Sequence, residues 1–185
     1  ADTRGDVAAQ PGGFWGPRDV VVAADGTVYV TDTGNKRVQR FSADGHFLAV
    51  YGTFHEGDRF DEPVGIALDP EGRFYIADTW NRRILIFNSR FEYEAEWPIR
   101  SWEGQSLVNK PYLAADEDYV YAADPEGYRI LVFDKAGQVR LTFGRYGADA
   151  AGMNLPTGVA LDPKGRLWVT DTQNNRLLRF DRPRP

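Results

Sequence analysis

Gly16-Pro17-Arg18-Asp19-Val20-Val21-Val22-Ala23-Ala24-Asp25-Gly26-Thr27-Val28-Tyr29-Val30-Thr31-Asp32-Thr33-Gly34-Asn35-Lys36-Arg37-Val38-Gln39-Arg40-Phe41 is a phrase that returns three more times along the chain. The second copy runs from Glu62-Pro63, the third from Lys110-Pro111 and the fourth from Leu155-Pro156. Asp32, Asp78, Asp124 and Asp171 are spaced by 46, 46 and 47 residues, and Phe41, Phe87, Phe133 and Phe180 keep the same steps. A fixed period of this size marks a repeat architecture in which each unit buries its face against its neighbours.

Within a repeat, β-branched and aromatic residues alternate or form short runs between Gly, Pro, Asn and Asp, and nothing has the spacing of an amphipathic helix. In the second copy this predicts four strands: A over 64–68, B over 74–77, C over 83–87 and D over 93–97. The A–B turn carries Asp25-Gly26, Glu71-Gly72 and Lys164-Gly165, where glycine supplies a positive φ, and the third copy departs with Glu117-Asp118. The B–C turn opens on Asp32, Asp78, Asp124 or Asp171 and closes on Arg37, Arg83, Arg129 or Arg176. Between them Asn35, Asn81, Gly127 and Asn174 occupy one position, which predicts a left-handed backbone there. The aspartates are placed to accept hydrogen bonds from the turn amides, and the arginines to donate to a nearby carboxylate or carbonyl. Because these residues recur in every repeat, they read as structural turn chemistry; a single active site would not recur.

Four-stranded repeats of 40 to 50 residues point to an all-β fold, a β-propeller whose blades surround a central channel. The succession of Pro, an apolar strand ending in Asp, Gly, Tyr-Val-Thr-Asp, Asn-x-Arg and a final Phe resembles the NHL repeat over residues 16–181. The stretch from Trp97-Pro98 to Asn109-Lys110-Pro111-Tyr112, with Asp124 to Arg129, is similar to soluble propeller regions attached to bacterial membrane proteins related to glycosyltransferases. The resemblance implies six blades, and six repeats would need roughly 276 residues. The 185 residues therefore form one propeller domain with blades at about 16–52, 62–97, 110–144 and 155–181. Two arrangements remain open: an arc of a larger six-bladed propeller, which the usual blade number favours, or a closed four-bladed ring completed by an outer strand from residues 1–8. An open arc exposes apolar blade faces, which drive self-association.

Composition narrows the function classes. The chain is 42% hydrophobic and 14% aromatic, carries a formal charge of −5 and has no Cys. That excludes disulfides, thiolate metal sites and a cysteine nucleophile. Apolar runs are strand-sized, so the segment is not membrane-embedded. The acidic balance argues against nucleic acid, even though Lys36, Arg37, Arg82, Arg83, Lys110, Arg129 and Arg176 could share one face, as the basic face of RNA-binding relatives would require. Only His46 and His55 are present, nine residues apart, too few for a three-His site. No cofactor and no metal is expected, and no phosphate loop or nucleophile elbow appears. An oxygen-ligand divalent site of the lactonase or lyase type is the enzymatic alternative. Asp116 with Asp118 is its nearest local carboxylate pair and reads as a hairpin turn.

The D–A and B–C connections of a propeller share one face, and loops on a rigid scaffold carry function. Positions that vary between repeats while their neighbours repeat are the candidates for specificity: Trp80, Arg82, Tyr128, Lys36 and Asn175, with Trp102 from a D–A loop. Exposed aromatics flanked by Arg anchor protein, peptide or carbohydrate partners. The sequence thus points to a non-catalytic binding or scaffold module. The resemblance to propellers attached to membrane proteins adds an extracytoplasmic soluble region of a bacterial protein as its setting.

Overall fold

A computed structural model describes residues 8–104 and 110–183, and among them fifteen strands form four antiparallel sheets. Blade 1 is the meander β1 (Pro17–Val22), β2 (Val28–Asp32), β3 (Arg37–Phe41) and β4 (Phe47–Tyr51). Blade 2 is β5 (Pro63–Leu68), β6 (Phe74–Asp78), β7 (Arg83–Phe87) and β8 (Tyr93–Pro98). Blade 3 is β9 (Leu113–Ala115), β10 (Tyr119–Asp124), β11 (Arg129–Asp134) and β12 (Val139–Phe143). Blade 4 has three strands, β13 (Pro156–Leu161), β14 (Leu167–Asp171) and β15 (Arg176–Phe180). The fold is a β-propeller arrangement of four blades. Gly26, Gly72 and Gly165 adopt positive φ at the A–B turns. Blade 3 closes that turn without glycine, the Asp116 carboxylate accepting the Asp118 and Tyr119 amides. Wherever strand D is present, its pairing with C slips at the same place, Arg40/Phe41, Ile86/Phe87 and Val132/Phe133, a bulge that adds twist to the outer edge.

The inner strands follow one another as β1, β5, β9, β13. A cavity of about 310 Å³ lies against all four, lined by Asp19, Ile66, Tyr112 and Gly158 among others. Three apolar clusters fill the gaps between successive blades. Tyr29 and Val38 meet Ile66, Phe74, Ile76 and Phe87 between blades 1 and 2. Tyr75, Ile84 and Trp97 meet Leu113, Val120 and Phe133 between blades 2 and 3. Tyr121, Ile130 and Val132 meet Leu167 and Val169 between blades 3 and 4. Blades 2 and 3 are therefore buried on both faces, while the outward faces of blades 1 and 4 keep exposed Val20, Val22 and Leu177. The expected closing strand over residues 1–8 falls almost wholly outside the described residues. From Ala8 onward the chain forms the loop that enters blade 1, its carbonyls at Ala9, Gln10 and Gly13 held by Arg37. Among the described residues no helix is long and apolar enough to cross a membrane.

The face opposite those loops is stitched by cations that cross between blades. Lys135, two residues past Phe133 of β11, sends its ammonium to the buried Asp69 of blade 2 (2.8 Å), to the Tyr75 hydroxyl (3.2 Å) and to the Asp116 carbonyl (2.7 Å). Arg182, at the same place after β15, reaches Asp116 of blade 3 (2.9 Å) and Asp118 (2.8 Å). The Asp69 carboxyl is desolvated, which alone would raise its pKa, but the Lys135 ammonium and the Arg73 amide outweigh burial and hold it below 3.8. Its stabilising contribution is thus complete above pH 3.8 and lost as pH falls below that value. Lys135→Met leaves the buried carboxylate without its cation and is expected to cost about 3 kcal/mol at pH 7. Urea unfolding checks this, and the cost should shrink in acid as Asp69 becomes protonated.

Candidate functional site

The start of each strand A pairs with the end of strand B, as in Pro17 with Asp32 and Pro63 with Asp78, so the D–A and B–C connections lie at one end of the blades. The B–C connection is a short 3-10 turn in blades 1, 3 and 4 and a hydrogen-bonded turn in blade 2, each built on a buried carboxylate. Asp32 Oδ2 accepts from Asn35 Nδ2 (2.8 Å) and Arg37 Nε (2.6 Å), while Oδ1 accepts the Trp15 amide (2.7 Å). Asp78 repeats this with Asn81 (2.8 Å), Arg83 (2.9 Å) and the Asp61 amide (2.6 Å). Asp171 does so with Asn174 (2.8 Å), Arg176 (2.7 Å) and the Asn154 amide (2.6 Å). The far end of each arginine then grips the preceding D–A loop, Arg176 on the carbonyls of Ala148, Asp149 and Gly152. One carboxylate thereby fixes both loops of a blade.

The left-handed residue of this turn is one place later than the sequence pattern predicts. Positive φ falls on Lys36 (54°), Arg82 (54°), Tyr128 (56°) and Asn175 (50°), not on Asn35, Asn81, Gly127 and Asn174. The asparagines are there for their side-chain amide, which reaches the aspartate and a D–A carbonyl together, as Asn174 reaches Gly147. Gly127 is required for space: a Cβ there would overlap the Asp124 carboxylate. Without the asparagine, Asp124 Oδ2 keeps Arg129 (2.9 Å), while Oδ1, which takes a D–A amide in the other blades, has no partner among the described residues.

On this frame the blades present different aromatics. In blade 1 the Gly34 amide donates to the Trp15 carbonyl, and the Trp15 ring lies where a side chain on Gly34 would be, 2.9 Å from a built Cβ. In blade 2 the same two positions are Asp61 and Trp80, again joined by an amide-to-carbonyl bond, with the ring now on the turn. The indole stands on the D–A loop in blade 1, filling the space beside Gly34, and on the B–C turn in blade 2. Trp15 is 65% and Trp80 53% exposed. Trp80 rests over the ammonium of Lys110 at 5.2 Å, and that ammonium is itself held by Glu62 at 2.6 Å. Lys110 is only 2% exposed, so Trp80 has a fixed, charged floor. Toward blade 4, Tyr128 meets Tyr146 edge-on at 5.0 Å, and Tyr146 is 65% exposed.

Lys36 pairs with Asp61 at 2.7 Å beside Trp80, and Arg82 accepts the Ile99 amide on its carbonyl while shaping the turn. Asn175 is exposed in the fourth turn. Trp102 does not join them: it is 1% exposed, packed into the core between blades 2 and 3, and is withdrawn as a surface contact. Sequence reasoning left Tyr146 out of the candidate set and did not connect Lys110 with Trp80. The departure Lys110-Pro111 from Glu62-Pro63 was the available signal for the second. The basic residues are engaged locally, Arg37, Arg83, Arg129 and Arg176 on turn carboxylates and Lys110 beneath an indole. His46 sits beside Asp44, and His55 stacks on Tyr93 at 5.0 Å. Among the described residues no three His, Cys, Asp or Glu side chains converge to hold a metal ion, and Arg182 bridges Asp116 and Asp118.

A profile of the family described as NHL repeat matches residues 14–41, 60–87 and 153–180. Three of the four copies are thus NHL repeats. The copy the profile passes over is blade 3, whose turns carry Glu117-Asp118 and Pro125-Glu126-Gly127 in place of the repeating residues. The NHL repeat-containing protein 3 of Mus musculus is 27% identical over 181 residues, 88% of this chain and 50% of its own length. Solved structures with the same fold include a streptogramin B lyase (TM-score 0.61, 15% identity, 92% of this chain and 56% of the other). Another is virginiamycin B lyase from Staphylococcus aureus (TM-score 0.61, 17% identity, 90% and 55%). The chain spans about half the length of these relatives.

Burial separates the turn aspartates. Desolvation raises Asp78 to about 6 against its hydrogen bonds, whereas at Asp171 the Asn154 amide, Asn174 and Arg176 outweigh burial and hold the carboxyl below 3.8. A carbon-13 carboxyl titration should place Asp78 near pH 6 and Asp171 below 3.8. Asp78 binds its proton more tightly folded than unfolded, so its contribution to stability is full below pH 3.8 and is lost as pH rises to about 6.

Proposed function

We propose that this propeller is a non-catalytic binding module whose D–A and B–C loop face, centred on Trp15 and Trp80 and extended by Lys36, Arg82, Tyr128, Tyr146 and Asn175, recognises a protein, peptide or carbohydrate partner. The observation that carries this reading is that large exposed aromatics stand on one face over rigid mounts: Trp15 across Gly34, Trp80 over the buried Lys110, and Tyr146 against Tyr128. An exposed indole fixed in place loses little conformational entropy when a partner covers it, which is why such residues dominate binding energies. Sugar rings and peptide side chains both offer the apolar, polar-edged surfaces that indoles take. The carboxylate of Asp61 and the ammonium of Lys36 beside Trp80 supply the polar rim.

The lyases among the structural neighbours motivate one second reading, a divalent-metal enzyme. The two readings separate in one set of assays. The 185-residue chain is screened on a glycan array and against a peptide display library, and binders are re-measured with Trp15→Ala and Trp80→Ala. Each substitution is expected to weaken binding roughly 10- to 30-fold without changing thermal stability. Binders indifferent to both substitutions, or no binder in either library, would count against the loop face. Turnover of quinupristin, the compound bound in a solved virginiamycin B lyase of Staphylococcus aureus, on addition of Mg²⁺ would favour the enzyme instead.

A further inference from the structure

The face that blade 4 turns away from blade 3 is built like one that another blade covers. Its residues Ala160, Trp168, Thr170, Leu177 and Arg179 stand at the repeat positions of Val21, Tyr29, Thr31, Val38 and Arg40, the face of blade 1 that blade 2 covers. The agreement extends to cross-strand pairs: Trp168 lies opposite Arg179 as Tyr29 lies opposite Arg40, whose guanidinium sits 5.7 Å from the Tyr29 ring. It also extends to hydrogen bonding. Thr31 and Thr33 send their hydroxyls into blade 2, to the carbonyls of Val64 (2.7 Å) and Pro63 (2.5 Å). Their counterparts Thr170 and Thr172 turn back onto Thr157 at 3.1 and 2.9 Å. The interior blades have Ala77 and Ala123 at the first of these positions. Blade 4 therefore shares with blade 1, and not with the interior blades, the threonine pair that blade 1 sends into its successor.

We propose that the successor of blade 4 is blade 1 of a second copy of this chain, docked head to tail. Blade 1's free face carries Val20, Val22, Val28, Val30 and Phe41 at the positions of Ile66, Leu68, Phe74, Ile76 and Phe87, which cover blade 1 from the other side. Charge selects the same occupant. Blades 3 and 4 each bring a cation, Lys135 or Arg182, to an aspartate of the preceding blade. Asp162, the corresponding acid of blade 4, is already held by its own Arg166 (2.6 Å) and by Trp168 Nε1 (3.1 Å). Blade 1 has Ala43 where the cation would come from. At these inter-blade positions the join therefore leaves neither acid nor cation unmatched.

The test is light scattering over a concentration series with Leu177→Lys and Val22→Lys, at sites 57% and 61% exposed and so tolerant of substitution. The unsubstituted chain is expected to associate to two copies or more, and each variant alone to be a monomer. An equimolar mixture of the two variants should associate again, because it restores one unsubstituted blade 4 face against one unsubstituted blade 1 face. A monomeric parent chain, association that survives Val22→Lys, or a mixture that stays monomeric would each overturn the proposal, the second by pointing to a blade 4 to blade 4 contact.

Discussion

The structure depends on a buried carboxylate at the end of strand B. A charged group without solvent must be surrounded by donors, and at Asp32, Asp78 and Asp171 those donors come from two different loops: the turn that follows strand B and the loop that enters strand A. The requirement to solvate one anion therefore sets the shape of a whole blade end. The arginine that meets the anion cannot be satisfied by it alone, and its remaining N–H groups take carbonyls of the entering loop. Blades 1, 2 and 4 each gain a stiff rim at the loop end in this way, and Lys36 with Asp61 and Lys110 with Glu62 tie neighbouring rims together.

The opposite end is organised between blades. There the acid at the end of strand A meets a cation from the next blade, at Asp69 with Lys135 and Asp116 with Arg182. Where blade 1 has Ala23 and blade 2 has Ser89 at the matching positions, acid and cation are absent together, and a cavity of about 560 Å³ lies beside them. The apolar clusters supply most of the burial, and these pairs set the register between sheets. A propeller assembled this way has a fixed grammar: apolar faces that any two blades can join, and charged pairs that decide which blade follows which.

Much of the fold was legible from period alone, because each β-hairpin turn needs its own Gly, Asp or Asn at a fixed offset and each strand its alternation. The finer geometry was not. Asn35 and Gly127 share a column, which suggested one backbone conformation, yet Asn35 is chosen for its amide and Gly127 for lack of a side chain; composition cannot separate a donor from a vacancy. The positive φ falls one residue later on Lys36, Arg82, Tyr128 and Asn175, types that do not advertise it. Trp102 looked like Trp80, a tryptophan in a loop, and only packing tells that one closes the core while the other rides on Lys110. The exchange of Trp15-Gly34 for Asp61-Trp80 was written in the sequence, and its meaning needed the space that the Trp15 ring fills beside Gly34.

The central claim is that the turn carboxylate holds the exposed indoles still. Nitrogen-15 relaxation of the Trp15 backbone amide tests it most directly, since that amide donates to Asp32. The account predicts an order parameter near about 0.85 in the parent chain and a fall below about 0.6 in Asp32→Ala, with the Trp80 amide of blade 2 unchanged. A Trp15 amide already mobile in the parent chain, or one that stays rigid after Asp32→Ala, would contradict it.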